Sequence, residues 1–179
     1  MPTTRERYDE MIKTELGVEL RTLGFKRRRN AFFRKTDQGW TLVDFQASQF
    51  GTREEVSFTI NLGVSFVELQ ADEGGAPSLG RALIRERIGR LLDASGDIWW
   101  NLDPDSDVAA VATTINDAVT REAIPWLDAR ASLAQLLSAA RADPNFIESW
   151  HLSRLSVLAT DANRLALAEE LRHLSQQRP

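Results

Sequence analysis

The sequence predicts an α+β domain. It is an antiparallel sheet of three or four strands packed by helices, followed by a C-terminal helical hairpin. Three observations predict it. The run 55–66, EVSFTINLGVSF, puts Val56, Phe58, Ile60, Leu62, Val64 and Phe66 on alternate positions, the period of a strand with one face in a core. Two extended runs precede it across turns too short for a crossover, so the strands pair antiparallel. Helical spacing of apolar residues brackets the strands, in the order helix, strands, helices that belongs to this class.

Thr3 and Glu6 are spaced as a capping box, and Tyr8, Ile12, Leu16 and Leu23 recur at helical spacing, which predicts a helix over 4–23. Gly24 is placed to end it in a left-handed conformation, with Phe25 folding back on the last turn. Residues 31–36 form the first predicted strand and Asp37-Gln38-Gly39 a tight turn. The second strand is 40–49, with Val43, Phe45 and Ala47 on one face and Leu42, Asp44, Gln46 and Ser48 on the other. A turn over 50–53 leads to the 55–66 strand, with Gly51 free to take positive φ. Residues 70–78 hold Gly74, Gly75 and Pro77 and read as a loop. Residues 79–92 fit either a helix or a strand, and a fourth strand over 84–91 is the preferred reading. Ser106 or Asp107 caps a helix to about residue 123. Pro125 interrupts, and a further helix carries Leu127, Leu133, Leu136 and Leu137. Asp143-Pro144 opens the next helix, with Ile147, Trp150, Leu155 and Leu158. Asp161 caps the last, with Leu165, Ala168, Leu171 and Leu174. These divisions give an α+β domain over 1–142 and an appended hairpin over 143–179.

Composition narrows the chemistry. The chain has 179 residues, 42% hydrophobic and 27% charged, with no cysteine, so disulfides, thiolate nucleophiles and cysteine-built zinc sites are excluded. The charged N-terminus and the lack of any apolar run of about 18 residues point to a cytoplasmic protein with no membrane span. His151 and His173 are the only histidines, and neither has the spacing of a metal site or a nucleophile–base pair. Gly74-Gly75 lacks the context of a phosphate loop. Asp103-Pro104-Asp105-Ser106-Asp107 begins like a calcium loop, but Val108 and Thr114 stand where that loop needs Gly and Glu. No cofactor and no metal is expected. General acid–base chemistry would have to use carboxylates such as Asp44 or Glu68 in an environment that moves their pKa.

Three constellations remain. The outer face of the 55–66 strand is polar and uncharged from Ser57 to Ser65. With Gln46, Ser48, Thr59 and Asn61 it makes a patch of donors and acceptors suited to a neutral polar group or a backbone segment, unless a loop or side chain covers it. Adjacent Trp99 and Trp100 point opposite ways on a strand, one towards the core and one towards a binding surface. Arg87, beside Arg85 and Arg90, holds an anion or an internal carboxylate. Separately, Lys26, Arg27, Arg28, Arg29, Arg34 and Lys35 form a basic tip on a chain of net charge −4. That tip is either a solvated turn or a site for an anionic partner.

Taken in order, Leu23-Gly24-Phe25-Lys26, Asn30-Ala31-Phe32-Phe33-Arg34, Asp44-Phe45-Gln46, Ile60-Asn61-Leu62-Gly63, Arg87-Ile88-Gly89 and Trp99-Trp100 resemble the bacterial domain-of-unknown-function family 4304 over roughly residues 8–127. The resemblance implies an α+β domain on an antiparallel sheet, and no activity or catalytic residue comes with it. The expected function is a non-catalytic binding module for a protein partner. The alternatives are an enzyme using carboxylates and arginines in a sheet-lined cleft, and a nucleic-acid binder acting through the basic tip. The acidic remainder argues against nucleic acid. The pattern sets no oligomeric state.

Overall fold

A computed structural model describes residues 2–52, 54–70, 75–92 and 96–177. Arg53, in the predicted 50–53 turn, and residues 71–74 of the predicted loop, Gly74 included, lie outside the described residues.

Helix α1 spans residues 4–22 and turns once in a wide π-type coil over Ile12–Leu16. It starts at the predicted capping box: the Glu6 N–H donates to the Thr3 hydroxyl at 3.2 Å, and the Thr3 N–H donates to the Glu6 carboxylate at 2.7 Å. It ends in a Schellman turn. Gly24 has φ of +84°, its N–H donates to the Arg21 carbonyl, and the Phe25 N–H donates to the Leu20 carbonyl. Leu20 and Phe25 are both buried, which closes the motif with an apolar contact.

The sheet is antiparallel throughout. Its strands are β1 Lys26–Arg28, β2 Ala31–Thr36, β3 Gly39–Ala47, β4 Val56–Phe66, β5 Ile84–Arg87 and β6 Trp100–Leu102, in the order β1-β2-β3-β4-β5, with β6 also on β4. The sheet thus has six strands where the alternation predicts three or four. β1 and β6 are three residues each, too short for a period of two to reveal. β5 pairs with residues 61–64 of β4 and β6 with residues 56–58, so both lie along one edge of it. Gly51 does not take positive φ; among the described glycines only Gly24 does.

Every alternate apolar residue from Val56 to Phe66 is buried on the inner face, under α1 and the helix over residues 108–128. Residues 79–92 resolve into both readings. Ile84–Arg87 is strand and Ile88–Leu92 is helix α2, so the predicted strand over 84–91 stops four residues early. Helix α3 covers residues 108–128, and Asp107 caps it by accepting the Ala110 N–H. Pro125 does not interrupt it. A π-type turn over Val119–Ala123 directly precedes the proline, and the Ile124 N–H reaches back to the Val119 carbonyl. That wider turn relieves the clash a proline ring makes with the carbonyl four residues earlier. The break falls instead before Ser132, which caps α4 Leu133–Ala142.

Helix α5 is Ser149–Asp161 and α6 is Leu165–Gln176. Asp143-Pro144 starts no helix; the Asp143 carboxylate accepts the Asn145 N–H and shapes a turn, leaving Ile147 ahead of the helix. Asp161 ends α5 rather than capping α6. The turn is made by Asn163 at φ +57°, with the Asn163 and Arg164 N–H groups donating to the Thr160 and Ala159 carbonyls. The two helices pack antiparallel, and the buried Ser156 hydroxyl donates to the Ala168 carbonyl at 2.8 Å. Among the described residues no helix is long and apolar enough to cross a membrane.

Candidate functional site

Register across the sheet assembles the site. On the outer face Arg28 lies opposite Ala31, Ala31 opposite Asp44, Asp44 opposite Asn61, and Asn61 opposite Arg87. Five strands therefore contribute to one cross-strand row. Gln46 stands in the next row, opposite Thr59. The Asn61 amide donates to the Gln46 carbonyl oxygen at 2.9 Å and lies 3.4 Å from the Asp44 carboxylate. Asn61 is only 4% exposed. Asp44 is half-buried. Burial pushes its carboxyl above the usual carboxylate range, and the Asn61 hydrogen bond opposes that in part.

A cleft of about 1030 Å³ opens at the Asp44 end of the row. Five arginines line it: Arg5, Arg27, Arg28, Arg29 and Arg81, with Asp9 and Asp44 among them. The β1–β2 turn brings three of these cations together, and Arg29 sits at φ +55°, an uncommon conformation for a residue with a side chain. The Arg27 side chain donates to the Arg29 carbonyl at 2.6 Å, and Arg5 lies 3.6 Å from Asp9. The side chains of Arg28 and Arg29 have no partner among the described residues. Their charge faces solvent and the cleft.

The rest of the outer face is closed from within. Thr59, at 0% exposure, donates its hydroxyl to the Ile98 carbonyl at 2.9 Å. The Ser57 hydroxyl bonds Asn101, and the Ser65 hydroxyl accepts from the Gln70 amide at 2.5 Å. Residues 79–83 cross the face at Gly63, where an added Cβ would stand 2.8 Å from the Ala82 Cβ. Ser48 is half-buried at the end of the second predicted strand, and its side chain accepts the Phe50 N–H. Trp100 turns inward and stacks on Phe58 at 6.0 Å. Trp99 turns outward, 37% exposed, beneath the Arg87 guanidinium. Arg87 pairs with Asp97, Arg90 with Glu148, and Arg85 donates to the Ala82 and Gly80 carbonyls.

Of the basic tip, Lys26 and Arg28 fall on the outer face and Lys35 follows along β2. Arg34 points the other way, pairs with Asp128 and lies over the Phe25 ring. Glu68 pairs with Arg164. The acids at 103–107 serve the entry to α3: the Asp103 carboxylate accepts the Asp105 N–H and the Ser106 hydroxyl. Hydrogen bonding from Ser106 holds that carboxyl below its ordinary range. His151 lies away from the cleft. It is buried beside Glu86 and Glu148, and its Nε2 accepts the Arg85 N–H at 3.4 Å.

Arg5, Asp9 and Arg81 escape a reading of the sequence, since each is distant in the chain from the basic turn. The one legible signal is the four-residue spacing of Arg5 and Asp9, which puts both on one side of α1.

These features define an α+β protein with a six-stranded antiparallel sheet and an arginine-lined cleft on its outer face. The model of a family described as a domain of unknown function (DUF4304) matches residues 16–129, and the chain belongs to that family. The matched stretch holds all six strands and the whole cross-strand row, while Arg5 and Asp9 lie before it. No curated protein and no solved structure matches the chain.

Proposed function

We propose that this protein is a non-catalytic binding module that holds an anionic segment of a protein partner in the arginine-lined cleft. The observation that carries the reading is the pair of guanidinium groups, Arg28 and Arg29, that have no partner among the described residues, in a cleft lined by three further arginines, on a chain whose net charge is −4. Cations gathered against the overall charge favour an anion through both local field and bidentate hydrogen bonding. Asp9 and Asp44 in the same cleft favour carboxylates spaced along a peptide over a continuous polyphosphate. A polyphosphate would bring its charge against both acids.

An enzymatic reading has one observation in its favour, the raised Asp44 carboxyl in a cleft. Neither histidine lines the cleft, so proton transfer there would fall to Asp44 and Asp9 alone.

Fluorescence anisotropy tests the proposal with two labelled probes, a hexaglutamate peptide and a twelve-residue oligothymidylate, in 50 mM and 300 mM NaCl. The peptide is expected to bind at low salt and weaken at high salt. The double variant Arg28→Glu/Arg29→Glu is expected to lose about tenfold or more in affinity, while Arg172→Glu on α6 retains it. Absence of peptide binding at 50 mM NaCl refutes the proposal. Tighter binding of the oligonucleotide than of the peptide reassigns the cleft to nucleic acid.

A further inference from the structure

We infer that the acidic segment binds as an added strand on the outer edge of β1, its backbone paired with Arg27 and its acids set against Lys26, Arg27 and Arg28; this rests on the binding function proposed above. The edge of a sheet presents unpaired N–H and C=O groups, and an extended peptide binds there by becoming a further strand. β1 is the terminal strand, paired with β2 alone. Lys26 and Arg28 are exposed and Arg27 is half-buried. Arg27, Arg28 and Arg29 also line the arginine cleft, so a segment on this edge leads into it.

The alternation of hydrogen bonds across the sheet identifies the unpaired groups. The Phe45 N–H donates to the Asn30 carbonyl, so Asn30 and Phe32 turn their main chain to β3, and Ala31 and Phe33 turn theirs to β1. Arg28 opposite Ala31 and Lys26 opposite Phe33 complete that pairing. The N–H and C=O of Arg27 therefore point away from β2, and neither has a main-chain partner among the described residues. The edge of β5 is closed instead. Its Arg85 N–H donates to the His151 ring at 3.4 Å and its Arg87 N–H to the Glu86 carboxylate at 2.9 Å. On β6 the main chain of Asn101 also turns away from β4, but that strand carries no cation and Asp103 follows it.

Charge selects the occupant. Residues 26–29 are four consecutive cations. The side chains of Lys26, Arg28 and Arg29 have no partner among the described residues, and the Arg27 side chain meets only the Arg29 carbonyl. The neighbouring acids are engaged or set back: Asp9 lies against Arg5, Asp128 pairs with Arg34, and Asp44 stands beyond β2 beside Asn61. In an antiparallel addition the residue opposite Arg27 exchanges both main-chain bonds with it. Its two neighbours stand opposite Lys26 and Arg28 on the outer face, with Cβ atoms about 5 Å apart. Three consecutive acids thus meet three cations, whereas a basic or neutral segment gains only the main-chain bonds.

The test measures anisotropy of labelled hexaglutamate at 50 mM NaCl in three forms: unmodified, N-methylated at alternate residues, and N-methylated at every residue. All three carry the same charge. Alternate methylation leaves one side of a strand with its N–H groups, and full methylation blocks both sides. The alternately methylated peptide is expected to bind within about twofold of hexaglutamate, and the fully methylated one about fivefold or more weakly, the loss of one to two hydrogen bonds. On the protein side, Arg27→Ala and Arg27→Pro both remove the guanidinium, and only the proline removes the N–H. The proline protein, with circular dichroism matching wild type, is expected to bind hexaglutamate about fivefold more weakly than the alanine protein. The methylated peptides decide the question on the wild-type protein alone. Equal affinity for the alternately and fully methylated peptides overturns the added strand. If hexaglutamate still binds in that case, the arginine cleft stands; if hexaglutamate does not bind at all, both readings fall.

Discussion

Asp44 holds a half-buried carboxylate whose one side-chain donor among the described residues is the Asn61 amide at 3.4 Å. Burial raises its carboxyl pKa, so the ionised form is disfavoured by the fold at neutral pH. The sign follows directly. A carboxyl raised in the folded state binds its proton more readily there than in the unfolded chain, so stability falls as pH rises through the carboxylate range. Asp44→Asn is therefore expected to raise Tm at pH 7, with the advantage over wild type shrinking towards pH 3. In the same variant the cleft should take oligothymidylate more readily, because a repulsive acid is gone. Calorimetry and anisotropy check the two outcomes. Thr41 offers a contrasting case. It is fully buried on the inner face of β3, and its hydroxyl has no hydrogen-bond partner among the described residues. Thr41→Val keeps the shape and removes a buried unsatisfied group, so it should stabilise the protein by about 1 kcal/mol, or about 3 °C in Tm.

At the scale of elements, local chemistry set α1 and the hairpin of β2 and β3. The Thr3–Glu6 box and the Gly24 stop are contained in a few adjacent residues, which makes them readable without a fold. Gly24 at φ +84° is the position most exposed to substitution. Gly24→Ala should cost about 1–2 kcal/mol, the strain of a side chain in the left-handed region, measured by urea denaturation with an unchanged m-value. Local signals misled at Pro125 and over 84–91, for two different reasons: a wider turn in the same helix in the first case and a non-local strand partner in the second. The proline is tolerated because the preceding π-type turn opens the coil over Val119–Ala123. Strand β5 ends at Arg87 because β4 pairs with it only as far as Asn61. The helix starts at 143–149 and 161–165 moved for a related reason: Asp143 and Asn163 shape turns, and the Asp and Pro at those places carry no information about which side of the turn the helix lies on.

At the scale of the whole molecule, the C-terminal hairpin is tied to the rest by buried polar groups. The Arg130 guanidinium, 8% exposed, lies 4.3 Å from the Trp126 ring and 3.9 Å from the Phe146 ring and donates to the carbonyls of both residues. Burial pulls its pKa down to about 10, where it stays charged at neutral pH. His151 packs nearby, on α5. Burial holds it down to about 4; Glu148 opposes this, while Arg154, Arg130 and Arg85 add to it. A histidine depressed in the folded state contributes stability that is complete above pH 6.5 and is lost as pH falls towards 4. Wild type should therefore lose Tm between pH 6.5 and 5, before most carboxylates titrate. His151→Gln keeps an acceptor for the Arg85 N–H and should show a flatter profile over that window by thermal unfolding.

The sequence by itself determined the α+β class, the inner face of β4 and the chemistry of the turn cations. Each depends on periodicity or composition within one short stretch. The tertiary structure decided which of those groups meet. Asp44 and Asn61 stand 17 positions apart and are joined by register. Arg5 and Arg81 arrive at the basic turn from a helix and a loop. The polar face of β4, legible as uncharged, is closed by Ile98, Asn101, Gln70 and Ala82, which no alternation in β4 encodes. A strand's own residues specify which side is apolar, but what crosses its other side depends on chain that returns from far along the sequence.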